Sequence, residues 1–298
     1  PSPLPPSPPP PSPPLPSLTT PLIHISIASY RDVLCPSTLF NIFTKSSSPN
    51  RIRVRLLQQV SQGDVDCFEG YCDMMISSGH GTVHSCPYAL QIQVATIPSS
   101  SARGPTYARS IVSEMIRLSS VSGDLSPTDF CLQLDSHMDF RPGFDVRLLE
   151  DWNRTGNEYG ILSTYVPGTE QIEEPLPDNN VPHLCMVEFT SSVRNWGTKL
   201  CLNLRKPKLT NAVWGAGMSF GRCRAELEVP YDPYMEGVFD GEEWGRAARF
   251  WTSGYDVYTP SRSVVFHDYK RSQADGKHAG WSREGRKKKN LRGGEKGG

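Results

Sequence analysis

An acidic residue and a histidine, one position apart, follow a short apolar strand near the middle of the chain. The segment "CLQLDSHMDF" (131–140) reads as a strand that ends at Asp135 and His137. If the strand continues through them, both side chains project to the same side. Carboxylate and imidazole groups bind manganese-type divalent ions, and a third ligand from a distant strand would complete one face of an octahedron. A polar turn is the alternative, because Asp-x-His alone is a weak motif.

Two further polar clusters follow predicted strands, "SYRD" at 29–32 and "HDY" at 267–269. Ligands of open α/β sheets bind beyond the carboxyl ends of the strands, so the three clusters are candidates for one site. Taken alone, His267 is better interpreted as a structural histidine than as a ligand.

Two arginines flank a predicted helix start in "SARGPTYARS" (101–110). Arg103 precedes Gly104, and Arg109 lies one or two turns into the helix. Either both arginines face solvent, or Arg103 approaches a phosphate or sugar where the glycine lets the backbone come close. The sequence contains neither a Gly-x-x-x-x-Gly-Lys loop nor a Gly-x-Gly-x-x-Gly fingerprint, which counts against an ATPase or a dehydrogenase.

Paired carboxylates open another predicted helix, in "FDGEEWGRAARFW" (239–251). Glu242 and Glu243 are typical of a helix start, where they interact favourably with the helix dipole. Aromatic residues surround them, and sugars are commonly held by carboxylates on their hydroxyl groups and aromatic rings on their C–H faces. The spacing alone leaves capping and sugar binding equally open.

Strands and helices alternate along the chain that must position these residues. The apolar patterns predict strands at 22–29, 51–60, 88–97, 130–134 and 159–166, and helices at 37–45, 106–118, 144–152 and 242–252. Such alternation predicts an α/β domain with a largely parallel central sheet. After residue 170 the pattern loosens into a proline-rich connection, then strands and turns.

The two ends of the chain differ in composition from the body. Residues 1–20 are proline-rich and predicted to form a disordered linker, 21–271 form the folded domain, and 272–298 are a basic, disordered tail. From residue 270 onward ten Lys and Arg face three Asp and Glu, whereas 1–269 hold 21 basic and 28 acidic residues. A mildly acidic body argues against a dedicated nucleic-acid binder. We find neither a signal-peptide pattern nor the roughly 20 apolar residues of a membrane helix.

Eight cysteines are scattered through a chain too large to need a disulfide framework. Only Cys67 and Cys72, in "DCFEGYC", are close neighbours. They would form a local bridge in an oxidising compartment, but free thiols are the favoured interpretation.

Seven segments in chain order resemble a known family: "ISIASYRD", "RGPTYARS", "LQLDSHMDF", "ILSTY", "GAGMSFG", "EVPYDPYMEGVFDGEEWGRAARFWTSGYDVYTP" and "VVFHDY". They are similar to the GT-A-fold N-acetylglucosaminyltransferases of glycosyltransferase family sixty, which modify hydroxyproline on a ubiquitin-ligase adaptor subunit in protists. The similarity spans about residues 23–271. Parts also look like the mucin-type polypeptide N-acetylgalactosaminyltransferases. Asp240 departs from the pattern, because an aromatic residue is common there.

The resemblance implies transfer of N-acetylglucosamine (GlcNAc) from UDP-GlcNAc to a protein hydroxyl, with retention of configuration. The metal ligands would be Asp135, His137 and His267, holding Mn²⁺ or, as an alternative, Mg²⁺. Glu242 and Glu243, with Asp240 close by, would orient the donor sugar and the acceptor. The residues implied at the nucleotide sugar are Ser29, Tyr30, Arg31, Arg103, Arg109, Asp135 and Ser136.

The acceptor stays open between an adaptor subunit, a mucin-like protein and a proline-rich protein. The first implies the cytosol, which we favour, and the others imply the Golgi lumen, with an anchor outside this chain. A catalytically silent sugar- or protein-binding module is the alternative function, although the full set of implied ligands favours activity. A metal-dependent hydrolase would leave the Gly-Glu-Glu helix start unexplained.

Overall fold

The computed structural model describes residues 21–172, 180–189, 193–210 and 213–270. In chain order the elements are β1 (Ile23–Tyr30), α1 (Cys35–Lys45), β2 (Ile52–Val60), α2 (Cys67–Ser77), β3 (Ile92–Pro98), α3 (Pro105–Ser122), β4 (Phe130–Leu134), β5 (Met138–Phe140), α4 (Phe144–Asn153), β6 (Gly160–Ser163), β7 (Val181–Phe189), β8 (Val193–Cys201), β9 (Lys208–Leu209), β10 (Met218–Arg222), α5 (Cys223–Glu228), α6 (Glu242–Thr252), β11 (Asp256–Thr259) and β12 (Val265–His267).

A mixed sheet of eight strands forms the centre, in the order β3-β2-β1-β4-β10-β6-β11-β9. The first four strands run parallel, β10 is antiparallel to both of its neighbours, and β6 and β11 are parallel again. The prediction of an α/β domain with a largely parallel central sheet is confirmed, and the sheet is mixed because β9 and β10 run antiparallel to their neighbours.

The side chains of strand β4 show that the sheet is covered on both faces. Every one of its residues is buried, and successive side chains point to opposite faces. Phe130 and Leu132 pack in the larger core, which includes residues of α1 and α4. Cys131 packs on the other face with Ile116 and Cys223 of α3 and α5. The strand therefore crosses the middle of the molecule, and its carboxyl end is held from both sides.

Two small ribbons lie outside the main sheet. β5 pairs antiparallel with β12, in a register that sets His267 opposite Met138. β7 and β8 form an antiparallel hairpin, and the Phe189 ring lies 5.7 Å from the ring of Trp244 in α6. The first ribbon matters most for the site, because it brings the end of the described chain next to the end of β4.

Most predicted elements are confirmed, although the strand predicted at 159–166 covers only Gly160–Ser163, α3 continues to Ser122, and α5 was not predicted. Two further differences have local causes. The third strand begins at Ile92 rather than at 88, because Tyr88 adopts a left-handed conformation and a short 3-10 turn follows it. Helix α2 was not predicted. Its first turn is capped by Asp66, whose side chain accepts hydrogen bonds from the backbone N–H groups of Phe68 and Glu69.

The interpretation of Cys67 and Cys72 as free thiols is wrong, and six of the eight cysteines are paired. Disulfides join Cys35 to Cys67, Cys72 to Cys86, and Cys131 to Cys223. Neither Cys67 nor Cys72 pairs with its sequence neighbour, so the local bridge is also excluded. The first pair comes together through the packing of α1 on α2 and the third through the packing of β4 on α5, which residue spacing does not reveal.

The predicted tails, 1–20 and 272–298, lie outside the described residues, as do most of the positions of the proline-rich connection. Among the helices that the structure describes, none is long and apolar enough to cross a membrane.

Candidate functional site

The structure brings together the three side chains implied as metal ligands. One ligand atom from each of Asp135, His137 and His267 lies within 4.8 Å of the other two. The Nε2 atoms of the two imidazoles are 2.9 Å apart, and His267 Nε2 is 3.4 Å from Asp135 Oδ2. Side chains 130 positions apart in the sequence thus point into one small space.

The expectation that one strand continues through Asp135 and His137 is wrong. β4 ends at Leu134 and β5 begins at Met138, so no continuous strand carries Asp135 and His137 to one side. They lie instead in the bend between the two strands. Thr38 fixes the bend, because its hydroxyl lies 2.9 Å from the Ser136 carbonyl and accepts from the backbone N–H of Met138.

His137 is oriented by a buried carboxylate that sequence reasoning did not assign. Its Nδ1 lies 2.7 Å from Oδ2 of Asp32, and the Ser136 hydroxyl donates to the same oxygen at 2.6 Å. Burial opposes the charge of Asp32, but the hydrogen bonds with His137 and Ser136 hold the pKa of this carboxyl below its usual value. The Ser136 hydroxyl is therefore already used within the protein.

His267 is buried between the ribbon and an aromatic ring. The Tyr269 ring centroid is 4.2 Å from that of His267, and the Tyr269 hydroxyl donates to the Val166 carbonyl at 2.8 Å. Burial raises the pKa of Tyr269 to about 12. The Nδ1 atom of His267 is buried with no hydrogen-bond partner among the described residues.

The donor atoms of this cluster fit a divalent cation. Burial works against the charge of Asp135, but the hydrogen bond with His267 and the positive charge of Arg109 hold the pKa of Asp135 well below its usual range. One carboxylate oxygen and two imidazole nitrogens suit Mn²⁺ better than Mg²⁺, which prefers oxygen ligands. Two imidazole Nε2 atoms in contact also require a shared proton or a shared cation.

Arg109 of α3 links this cluster to the start of α6. Its Nη2 donates to Asp135 Oδ1 at 2.7 Å, and its Nη1 donates to Glu242 Oε1 at 2.6 Å. Tyr231 also donates to Glu242 Oε1, at 2.9 Å. The two carboxylates raise the pKa of Arg109 despite its burial. The Arg109 guanidinium therefore holds the candidate metal ligand and the Gly-Glu-Glu motif in a fixed relation.

Glu243 lies beside the same cluster in a partly buried position. Its Oε1 accepts from the backbone N–H of Ala216 at 2.9 Å, and its Oε2 accepts from the Tyr165 hydroxyl. Burial raises the pKa of Glu243 to about 7. Gly241 precedes the helix with a φ of 97°, a conformation that glycine adopts without strain. This turn delivers two adjacent carboxylates to different partners.

A second layer of charge lies behind Glu242. The buried guanidinium of Arg246 donates to Glu226 at 2.6 Å and lies 3.9 Å from the centroid of the Tyr231 ring. Burial and the charge of Glu242 raise the pKa of Tyr231 well above its usual value. Arg246 therefore supports the ring whose hydroxyl holds Glu242.

The residues predicted at the nucleotide occupy the ends of neighbouring strands. Ile27 of β1 pairs with Leu134 of β4, so Ser29 and Tyr30 leave the sheet at the same edge as Asp135. Ser29 is buried, whereas Arg31 has a φ of 49° and binds Asp64 through two nitrogens.

Arg103 and Asp240 lie at the surface. The side chain of Arg103 is half exposed, forms an ion pair with Glu236 and lies over the ring of Tyr107. Its backbone carbonyl accepts from Gly237, which ties the loop before α6 to the start of α3. Asp240 is exposed.

Sequence reasoning missed several residues that shape the site, namely Asp32, Tyr165, Gly217 and Tyr231. Asp32 belonged to a recognised polar cluster, and Gly217 to a quoted segment, so the signals were present without a role. A Cβ added at Gly217 would lie 3.1 Å from Asp135 Oδ2. This glycine leaves room for the candidate ligand.

The sheet order, with its candidate cation site at the carboxyl end of β4, defines the class: the fold is that of GT-A glycosyltransferases. A family model described as Glycosyltransferase (GlcNAc) matches residues 22–80 and 74–293. The chain therefore belongs to this GlcNAc glycosyltransferase family.

Solved structures agree on the fold. GalNAc-T7 with UDP, GalNAc and Mn²⁺ is similar over 84% of this chain and 44% of its own, at 12% identity and a TM-score of 0.54. S. aureus TarS 1-349 in complex with UDP-GlcNAc is similar over 83% of this chain and 58% of its own, at 12% identity and a TM-score of 0.50. This chain thus spans about half the length of these two structures. A comparison with curated proteins gives no match.

Proposed function

We propose that the chain transfers GlcNAc from UDP-GlcNAc to a hydroxyl group on a protein, with a divalent cation held by Asp135, His137 and His267. The observation that carries the proposal is the convergence of these three ligand atoms within 4.8 Å in a chain of a GlcNAc glycosyltransferase family. Mn²⁺ is the ion we favour, because the ligand set mixes oxygen and nitrogen.

The nucleotide sugar lies across the carboxyl ends of β1 and β4 in this proposal. When bound, the cation supplies positive charge that stabilises the UDP leaving group. Ser29, Tyr30 and Arg31 contact the nucleotide, and Arg103 reaches the diphosphate or the sugar. Arg109 and Ser136 act at the same end by holding Asp135 and the bend that contains it.

The transfer is a substitution at the sugar C1 with retention of configuration. The bond from C1 to the phosphate oxygen breaks, and the acceptor oxygen attacks from the same face. The acceptor proton passes to that phosphate oxygen, so no side chain of the protein is required as a base. The protein contributes by fixing donor and acceptor in reacting geometry. Such positioning can lower the activation barrier by about 7 kcal/mol or more.

Glu242 and Glu243 orient the donor sugar and the acceptor hydroxyl in this scheme, with Asp240 at the rim. Glu242 is fixed by Arg109 and Tyr231. Glu243 is fixed by Tyr165 and the backbone of Ala216. A pKa of about 7 means that Glu243 can donate or accept a hydrogen bond to a sugar hydroxyl near neutral pH.

The cysteines guide the proposal for the compartment and, through it, for the acceptor. Three disulfides support folding in an oxidising compartment, because such bonds are rare in reducing cytosol. We therefore propose Golgi-lumen residence over the cytosol that the family resemblance first favoured. The acceptor is then a secretory protein that offers serine, threonine or hydroxyproline, with proline-rich chains as the first to test.

The metal assignment is tested by calorimetric titration of UDP into the protein with and without Mn²⁺. We expect Mn²⁺ to tighten UDP binding at least tenfold, and Asp135→Asn to remove that gain. The matched control is Asp139→Asn, a neighbouring carboxylate that pairs with Lys45 outside the ligand set. Equal UDP affinity with and without Mn²⁺ in the unsubstituted protein would refute the assignment.

The reaction is tested with UDP-GlcNAc and peptides that contain serine, threonine or hydroxyproline. Mass spectrometry should detect one added GlcNAc per modified residue, and NMR should give the α anomer. A silent binding module would bind UDP-GlcNAc yet release no UDP, even with water as the acceptor. A preference for another UDP sugar would correct the donor while leaving the metal site intact.

A further inference from the structure

We propose that Asp32 is a positioning residue, which fixes the His137 imidazole in the tautomer that leaves Nε2 able to bind the cation. The inference extends the proposed function, since the cation is the one proposed there. The contact between Asp32 and His137, however, belongs to the protein itself and can be tested without the cation.

The carboxylate of Asp32 divides its two oxygens between two tasks. Oδ2 lies 2.7 Å from His137 Nδ1 and accepts from Ser136 at 2.6 Å. Oδ1 accepts from the backbone N–H of Leu34 at 2.9 Å, just before α1. Asp32 is 7% exposed, so water does not compete strongly for either oxygen.

The charge on Asp32 decides where the imidazole proton lies. A carboxylate only accepts hydrogen bonds, so Nδ1 of His137 must be the donor. A neutral imidazole with its proton on Nδ1 carries its lone pair on Nε2. That nitrogen faces His267 and lies in the ligand cluster. Metal-binding histidines commonly use this arrangement, and loss of the outer partner typically costs about 10–100-fold in metal affinity.

The substitution Asp32→Asn separates this role from a merely structural one. Asparagine has the same shape, and its oxygen can still accept from Leu34, which preserves the start of α1. Its NH₂ group then faces His137 and donates to Nδ1. The proton is displaced to Nε2, where it blocks the cation.

The first experiment observes the tautomer directly in metal-free protein. Long-range ¹H–¹⁵N NMR of histidine-labelled protein at about pH 8, above the ordinary imidazole pKa of roughly 6.5, distinguishes a protonated Nδ1 from a protonated Nε2. We expect His137, assigned from the signal lost in His137→Gln, to carry its proton on Nδ1 in the unsubstituted protein and on Nε2 in Asp32→Asn. A proton on Nε2 of His137 in the unsubstituted protein would overturn the proposal, with no variant required.

The second experiment measures Mn²⁺ binding by electron paramagnetic resonance of the free ion. We expect Asp32→Asn to weaken binding about 10–100-fold, while metal-independent UDP binding is unchanged. The matched control is Asp129→Asn, which alters another carboxylate–histidine pair, with His24, at the amino end of β4. That variant should bind Mn²⁺ normally.

The two experiments fail in different ways. Unchanged Mn²⁺ affinity in Asp32→Asn would refute the positioning role, even if the enzyme transfers GlcNAc as proposed. Absence of Mn²⁺ binding by the unsubstituted protein would refute the cation in the proposed function. The tautomer measurement would still show whether Asp32 orients His137.

Discussion

Arg109 and Glu242 form an ion pair of 2.6 Å between residues 133 positions apart. Both side chains are largely buried, with relative exposures of 12% and 3%. The same guanidinium also binds Asp135, so one positive charge lies between two carboxylates that would otherwise repel each other. The pair thereby joins the candidate metal site to the candidate sugar site.

Replacement of Arg109 should therefore impair both stability and activity. Arg109→Ala leaves the buried Glu242 and the partly buried Asp135 without the guanidinium that pairs with them, and we expect a loss of about 3–5 kcal/mol in the free energy of unfolding. Arg109→Lys keeps the charge but cannot bind both carboxylates in the same fork geometry. We therefore expect UDP-sugar turnover to fall, while the free energy of unfolding decreases less than in Arg109→Ala. Denaturant unfolding and steady-state kinetics measure the two effects.

Arg117 is the matched control on the same helix. It pairs with Glu114 at an exposed position, where an ion pair contributes little. Arg117→Ala should leave both turnover and unfolding nearly unchanged. Equal effects of the two alanine substitutions would contradict the linking role of Arg109.

Gly217→Ala should disturb Asp135 without altering its charge. The added Cβ would lie 3.1 Å from Asp135 Oδ2, closer than ordinary van der Waals contact, so the carboxylate must shift. We expect weaker Mn²⁺ binding with little change in secondary structure, as measured by Mn²⁺ titration and circular dichroism. Gly245→Ala is the control, because its Cβ meets no atom within 4 Å. As a helix substitution it should stabilise the protein by about 0.5–1 kcal/mol and leave Mn²⁺ affinity unchanged.

Glu243 should make stability fall as pH rises across the neutral range. Its pKa is raised from 4.5 to about 7 by burial, so the folded protein binds more protons than the unfolded chain between these values. The stabilisation is thus fully present below about pH 4.5 and is lost as pH rises through 7. Relative to Glu243→Gln, the unsubstituted protein should lose up to about 3 kcal/mol between pH 5 and 8 in metal-free buffer.

Tyr165→Phe tests the same assignment by changing the pKa of Glu243 while keeping its carboxyl group. The Tyr165 hydroxyl stabilises the charged carboxylate, and its removal should raise the pKa of Glu243 further. The pH-dependent loss of stability should then extend to higher pH. A pH dependence of unfolding that is identical in all three proteins would exclude Glu243 as its source.

Reduction of the disulfide between Cys131 and Cys223 should destabilise the fold strongly. The bond closes a loop with a sequence separation of 92 residues. A disulfide that closes such a loop stabilises the folded protein by about 2–5 kcal/mol. We expect Cys131→Ala with Cys223→Ala to lower the free energy of unfolding by this amount, measured in denaturant. Cys201→Ser, at a cysteine outside the disulfides, should have little effect. Equal free energies of unfolding in the double variant and the unsubstituted protein would contradict this role of the disulfide.

The sequence predicts the parts of this fold that depend on local pattern. β4 is found at the predicted positions, 130–134, because five buried residues are bounded by polar ones. α6 begins at Glu242 as predicted, since Gly241 and two acidic residues form a typical helix start. The resemblance likewise named the three side chains that converge at the end of β4.

Contacts between distant segments could not be predicted from local pattern. Helix α2 contains Gly70, which lowers helix propensity, but a Cβ there would lie 2.8 Å from Pro36 of α1. The glycine allows the close packing that stabilises this helix, and that packing also aligns Cys35 with Cys67. The role of Asp32 depends on how the end of β1 folds towards the bend after β4, which spacing does not encode.

The pairing of β12 with β5 has a consequence for biosynthesis. His267 lies 130 positions after His137 and belongs to the last described strand. Since ribosomes build polypeptides from the amino end, the candidate cation site stays incomplete until nearly all of the described residues have been translated. A nascent chain therefore begins to fold before this site can form. Premature termination anywhere before the codon for His267 yields a product that lacks the third candidate ligand, however much of the sheet it retains.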